Sequence, residues 1–130
     1  MFHMFPAEIL LTETLFRAQG NLSMRRFAQI VRVKPECIAE YERIHAAVWP
    51  EVLSTIHACH MRNYSIFRHE TYLFAYFEYD GEDFEADMRL MAADPKTQEW
   101  WRITDPMQEP LTEHESGDWW LKLKEVFHTD

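Results

Sequence analysis

The sequence is poor in the residues that mark specialised folds, and each shortage excludes something. Two cysteines, Cys37 and Cys59, are too few for a disulfide scaffold in 130 residues and form no CxxC pair. They read as small core residues of a reduced, cytoplasmic protein, and neither has a basic cluster nearby to activate a thiolate. Only 3 glycines and 6 prolines occur, so most of the chain should be regular structure. No GxGxxG, P-loop or GxSxG is present, which removes the main support for dinucleotide, nucleotide or serine-hydrolase chemistry. Positive charge is short as well: 13 Lys and Arg face 22 Asp and Glu, for a net charge of -9. That balance argues against a nucleic-acid backbone as partner. The longest apolar run near the start, Ile9-Leu10-Leu11, cannot span a bilayer, and no basic segment leads a sustained apolar stretch. The expectation is therefore no membrane and no secretion signal.

What is there is a globular core. Hydrophobic residues make up 47% and aromatics 15%, beyond what a disordered acidic chain carries. The length suits one domain. Residues 1–23 differ from the rest and are read as an extension, with Ile9, Leu10, Thr14 and Leu15 on a loose helical stripe that stops near Gly20-Asn21. Residues 24–130 read as one domain.

Within it, Arg25 to Val33 has the apolar majority of a strand. Pro35 suits a first helical turn, and Ile38, Tyr41, His45 and Val48 follow at helical spacing. Pro50 should bend or restart that helix, with Val52, Leu53 and Ile56 carrying it to Cys59. Arg62–His69 and Thr71–Tyr79 are β-rich and close enough for an antiparallel hairpin turning near Glu70. Glu82–Ala92 reads as a helix, and Asp94-Pro95 opens another that runs to about Thr104. A polar loop from Asp105 to Gly117 precedes a closing strand expected over Trp119–Phe127. The order is strand, helix, hairpin, helix, strand, an α+β pattern of the ferredoxin-like, split βαβ kind. Helices then cover one sheet face, and a homodimer packing sheet against sheet is the simplest cover for the other.

Several side chains could carry chemistry. Tyr41 and His45 are four apart and share a helix face with Ile38 and Val48, so both point toward the sheet. An imidazole there is either a core residue with one satisfied hydrogen bond or a proton carrier poised near neutral pH. Trp100 and Trp101 are adjacent on a helix and point about 100° apart, so at most one packs fully; either the other lines a groove or both serve packing alone. Indole faces suit the C–H faces of sugars, and the N–H can donate to a hydroxyl. Tyr64 is either a cross-strand aromatic partner or a third member of the Tyr41–His45 group. His57, His60 and His69 match no metal spacing.

Taken in order, these pieces resemble the L-rhamnose mutarotase family. The resemblance rests on Tyr41-Glu42-Arg43-Ile44-His45-Ala46-Ala47-Val48-Trp49-Pro50-Glu51, on Asn63-Tyr64-Ser65-Ile66, on Trp100-Trp101 with Thr104-Asp105-Pro106-Met107, and on Glu125-Val126-Phe127. It covers residues 24–128. It implies a dimeric α/β barrel without cofactor, in which His45 is the proton donor while Tyr41, Tyr64, Trp100 and Trp101 contact a monosaccharide. Mutarotation needs a proton at the ring oxygen and one removed from the anomeric hydroxyl. The resemblance places His45 at the ring oxygen and leaves the base open among a tyrosine, Asp105 and water. The aromatic Gly117-Asp118-Trp119-Trp120 segment departs from the pattern and opens the sugar to L-fucose or another 6-deoxy sugar. Two other classes share the element order: cofactor-independent monooxygenases or haem-handling barrels, and binding modules without turnover.

Overall fold

The computed structural model describes residues 24–111 and 118–130. The extension over residues 1–23, and the part of the polar loop at 112–117, lie outside the described residues.

Strand β1 (Arg25–Val33) pairs antiparallel with β3 (Tyr72–Tyr79) over eight positions, from Arg25↔Tyr79 to Arg32↔Tyr72. Strand β2 (Met61–His69) forms the expected hairpin with β3, turning through Glu70, whose φ is 52°. The strand order is β2-β3-β1-β4, where β4 is the two-residue strand Gln108–Glu109, and a fifth short strand also pairs with β1. On β1 and β3 the inward set is Phe27, Gln29, Val31 and Val33 beside Leu73, Ala75, Phe77 and Tyr79. That is the period of two expected of a sheet covered on one face.

The helices begin where local chemistry says they should. A 3-10 turn (Pro35–Cys37) leads into α1 (Ile38–His45), and Pro50 opens a separate helix α2 (Pro50–Ala58) at its first turn. Helix α3 (Phe84–Ala93) is capped by Asp83, whose carboxylate accepts the Ala86 N–H at 3.1 Å. Helix α4 (Pro95–Thr104) is capped by Asp94, which accepts both the N–H and the hydroxyl of Thr97, at 2.9 and 2.8 Å.

The helices cover the inward face in two apolar clusters. One gathers Val31, Val33, Tyr41, Leu73, Ala75 and Trp120; the other gathers Cys59, Met61, Phe77, Tyr79, Phe84 and Met91. Phe27 stacks on Phe77 and Phe84 at 5.0 and 4.7 Å in the second. Burying one such ring is worth about 1.5–3 kcal/mol. Beside it the Asp87 carboxylate accepts the Tyr79 hydroxyl at 2.5 Å and lies 3.0 Å from the His60 ring. Gly81 passes so close that a Cβ there would collide with the Tyr79 hydroxyl and that carboxylate.

Two sequence expectations are corrected at the C-terminal end. The segment after Thr104 is not all loop: a 3-10 turn (Asp105–Met107) leads into β4 (Gln108–Glu109), which pairs with Val33 and Arg32 of β1. The closing strand is only β5 (Leu121–Lys122), held as Ile30↔Leu121 and Gln29↔Lys122. The Leu123 N–H adds one bond to the Ala28 carbonyl at 2.9 Å. Beyond it Glu125 turns to Arg26, and the following Val126 and Phe127 are 88% and 79% exposed. An apolar run becomes a strand only while it has an edge to pair with, and here that pairing ends at Ala28.

Candidate active site

A cavity of about 520 Å³ opens between the two apolar clusters, with Tyr41 and Trp120 from one and Met61, Phe77 and Met91 from the other in its wall. Tyr41, His45, Tyr64, Trp100 and Trp101 all line it.

Helix α1 sets the first pair. His45 lies one turn after Tyr41, and its ring stacks on the Tyr41 ring at 4.0 Å with 23° between planes. Its Nδ1 is 2.7 Å from the Tyr41 carbonyl oxygen. A carbonyl only accepts, so Nδ1 carries the hydrogen and Nε2 is left as the lone-pair nitrogen of the neutral ring. Burial lowers the His45 pKa below its ordinary 6.5, and the carbonyl only partly offsets this. The ring is therefore a proton acceptor at neutral pH and becomes a donor once it has accepted.

The Tyr41 hydroxyl is buried and accepts the Gln108 Nε2–H at 3.1 Å, while Gln108 Oε1 accepts the Trp119 indole N–H at 2.8 Å. Burial first, then the nearby Tyr64, pushes the Tyr41 pKa far above the usual 10. It stays a neutral hydroxyl that donates and accepts hydrogen bonds.

Tyr64 reaches the cavity because of a bulge. Between the pairs Arg62↔Glu78 and Ser65↔Tyr76, Asn63 and Tyr64 together oppose Phe77 alone. Asn63 adopts φ 50°, a left-handed conformation asparagine tolerates, and its amide donates to Glu78 at 2.7 Å. The extra residue reverses the strand's phase, so Tyr64 and Ile66 join Met61 on the inward face. Burial pushes the Tyr64 pKa up to about 12.

Of the tryptophans, Trp100 is the packed one, 7% exposed, with its edge on His45 at 5.3 Å and on Trp49 at 5.1 Å. Trp101 is half-buried against the Phe77–Met91 cluster and also faces the cavity. The histidines three apart separate: His57 lines the cavity and His60 pairs with Asp87. Among the described residues no group of three His, Cys, Asp or Glu is arranged to hold a metal ion.

The sequence reading missed the polar floor. Gln29, Gln108 and Lys122 line the cavity, as does Asp105, which the sequence had offered as a candidate base. Gln29 had a signal: it is the polar interruption of the inward run Phe27, Val31, Val33. Lys122 had none until its register against Gln29 was known.

Fold and cavity together define a small α/β domain with an aromatic-walled cavity into which the neutral His45 imidazole faces. Comparison with known proteins narrows that class. The L-rhamnose mutarotase family model matches residues 26–129. An L-rhamnose mutarotase of Opitutus terrae is 38% identical over 111 residues, covering 82% of this chain and 100% of that protein. One from Tolumonas auensis is 38% identical over 113 residues, covering 81% and 98%. A crystal structure of L-rhamnose mutarotase from Formosa agariphila shares the fold, with a TM-score of 0.65 at 20% identity, over 82% of this chain and 99% of that one. The chain belongs to the L-rhamnose mutarotase family and is an isomerase of that kind.

Proposed function

We propose that this cavity interconverts the α and β pyranose anomers of L-rhamnose, with His45 as the catalytic proton carrier. The observation that carries the reading is the His45 tautomer: a neutral imidazole, oriented by the Tyr41 carbonyl, in a cavity lined with aromatic and hydroxyl side chains. Nε2 takes the proton from the anomeric hydroxyl as the C1–O5 bond opens. The aldehyde rotates about C1–C2, and His45 returns a proton as the ring closes on the other face. Tyr41 and Tyr64 hydrogen-bond the sugar, and Trp100 and Trp101 pack on its apolar face.

The same reading includes a ferredoxin-like protomer, a homodimeric α/β barrel and a cytoplasmic location. The strand order β2-β3-β1-β4 supports the first. Phe67 and Phe74, 63% and 39% exposed as cross-strand partners on the helix-free face, support a second copy as its cover. Both cysteines are free thiols, in keeping with a reducing compartment.

Saturation-transfer NMR of anomeric exchange, run on L-rhamnose and L-fucose, tests the function. Wild type should accelerate exchange of L-rhamnose. His45→Ala should lose about 10²–10⁴-fold in kcat, the usual worth of a positioned proton carrier. Uncatalysed rates with wild type, or an unchanged rate in the variant, would refute the reading.

A further inference from the structure

Resting on the mutarotase reading, one group remains to be found: mutarotation moves two protons, and His45 accounts for one. Among the described residues, the cavity's other titratable side chains are Tyr41, His57, Tyr64, Asp105 and Lys122. Both tyrosines are held in the neutral hydroxyl form, so neither delivers a proton near neutral pH at useful cost.

Lys122 is placed differently. It is the last residue of β5, and its Cα partner across the ladder is Gln29, itself buried and inward. The bond from Leu123 N–H to the Ala28 carbonyl fixes this register, and the half-buried lysine lines both the cavity floor and a neighbouring groove with Arg25, Arg26 and Glu78. Its ammonium donates to the Trp120 carbonyl at 3.2 Å. A strongly hydrated cation is costly to take out of water, and a site that does so commonly uses the group chemically.

We propose that Lys122 is the second catalytic residue, the ammonium that protonates the ring oxygen while His45 Nε2 deprotonates the anomeric hydroxyl. On opening, the O1–H proton passes to Nε2 and its electron pair forms the C1=O1 bond. The C1–O5 pair leaves with O5, which takes a proton from Lys122. The site is then left with an imidazolium and a neutral amine. Closing reverses each step: the amine takes the O5–H proton as O5 attacks C1, and the imidazolium protonates O1. Both residues return to their starting forms, and no outside acid, base or oxidant is consumed.

The electrostatics suit this pairing. Desolvation lowers the Lys122 pKa to about 8, against the opposing effect of Asp118. His45 is depressed below 6.5, also by burial. An ammonium and a neutral imidazole thus coexist between those two values, a window that contains neutral pH. On the neighbouring strand β1, Arg26 points to the other face and pairs with Glu125, and Arg25 stands at the strand's start.

The test is a kcat and KM pH profile by the same NMR exchange assay on wild type, Lys122→Met and Lys122→Arg. Thermal melts by tryptophan fluorescence check the fold of each. Wild type should give a bell, with an alkaline limb near pH 8 and an acid limb below 6.5. Lys122→Met should lose about 10²-fold or more in kcat with KM changed less than about threefold, and should lose the alkaline limb. Lys122→Arg keeps the charge and stem but its guanidinium hardly gives up a proton, so it should stay equally slow. It serves as the deciding arm should the methionine variant fail to fold. A rise in KM alone, full turnover in Lys122→Arg, or an alkaline limb that persists in either variant overturns the lysine's role while wild type still exchanges. No exchange in wild type overturns the mutarotase reading and this inference together.

Discussion

Replacing Tyr41 by Phe removes one buried oxygen and nothing else, which makes it a clean probe of what that hydroxyl does. The phenyl ring keeps the 4.0 Å stack on His45, and the backbone carbonyl that fixes His45 Nδ1 is untouched. What is lost is the acceptor for Gln108 Nε2, whose side chain is buried and whose carbonyl end is held by Trp119. Leaving a buried amide donor without its acceptor costs about 1–3 kcal/mol. For a domain of about a hundred residues that is a fall in Tm on the order of 5–15 °C. The sugar also loses one hydroxyl contact, worth about 0.5–1.5 kcal/mol, so KM should rise roughly 2–10-fold. Because burial keeps Tyr41 neutral, kcat should stay within about fivefold. Thermal melts and the anomeric-exchange assay measure all three quantities. Introduced into a Gln108→Ala background, the same change should cost less than half as much stability, since the orphaned donor is already gone. A kcat loss of about 100-fold with an unshifted Tm would refute the reasoning and make Tyr41 a proton-transfer group.

Trp100→Ala should cost about 3–5 kcal/mol and lower kcat as well as stability, because the indole edge against His45 holds the imidazole in place; Trp100→Phe should restore most of both. Kinetics in which only KM moves would make Trp100 a sugar contact alone. Asp94→Ala should destabilise by about 0.5–2 kcal/mol through loss of the helix cap. The Thr97 N–H and hydroxyl hold the Asp94 carboxyl below its ordinary 3.8, so the cap's charge-linked stability is complete above that value and drains away as pH falls through the lower folded-state pKa. Denaturant melts of both proteins should therefore converge in strong acid, and a gap that stays constant with pH would count against the carboxylate's part.

Elements with a local cause could be read from the sequence. Asp94-Pro95 carries a cap and a first-turn proline in two residues, and the alternation of Leu73, Ala75, Phe77 and Tyr79 allows one face only. What escaped depended on partners distant in sequence. Gln108–Glu109 is too short to show a period, and its strand character comes wholly from Val33 and Arg32 across the ladder. Trp119–Phe127 has the composition of a strand, but its pairing ends where Leu123 meets Ala28. Tyr64 is the instructive case. Strict alternation from Met61 would place it on the helix-free face, and only the bulge at Asn63 brings it to the cavity. The sequence motif pointed to Tyr64 without the reason it lines the cavity.

The site divides along the same line. Tyr41 and His45 were legible because an i, i+4 pair on an apolar stripe is a helical fact, fixed by the backbone wherever the helix goes. The protonation of His45 was not, because it depends on a single hydrogen bond. A donor assigned from resemblance alone would enter the reaction as imidazolium. The 2.7 Å contact with the Tyr41 carbonyl and the burial of the ring favour the neutral form, which is why the proposed mechanism uses it as an acceptor first. Since mutarotation runs through the same aldehyde in both directions, a group that accepts during opening must donate during closing. At the anomeric hydroxyl the two descriptions differ in which half of the cycle they name. They differ in substance at the ring oxygen, where an acceptor-first His45 leaves the proton to another group. In the proposed mechanism that part falls to Lys122, on a cavity floor invisible to periodicity.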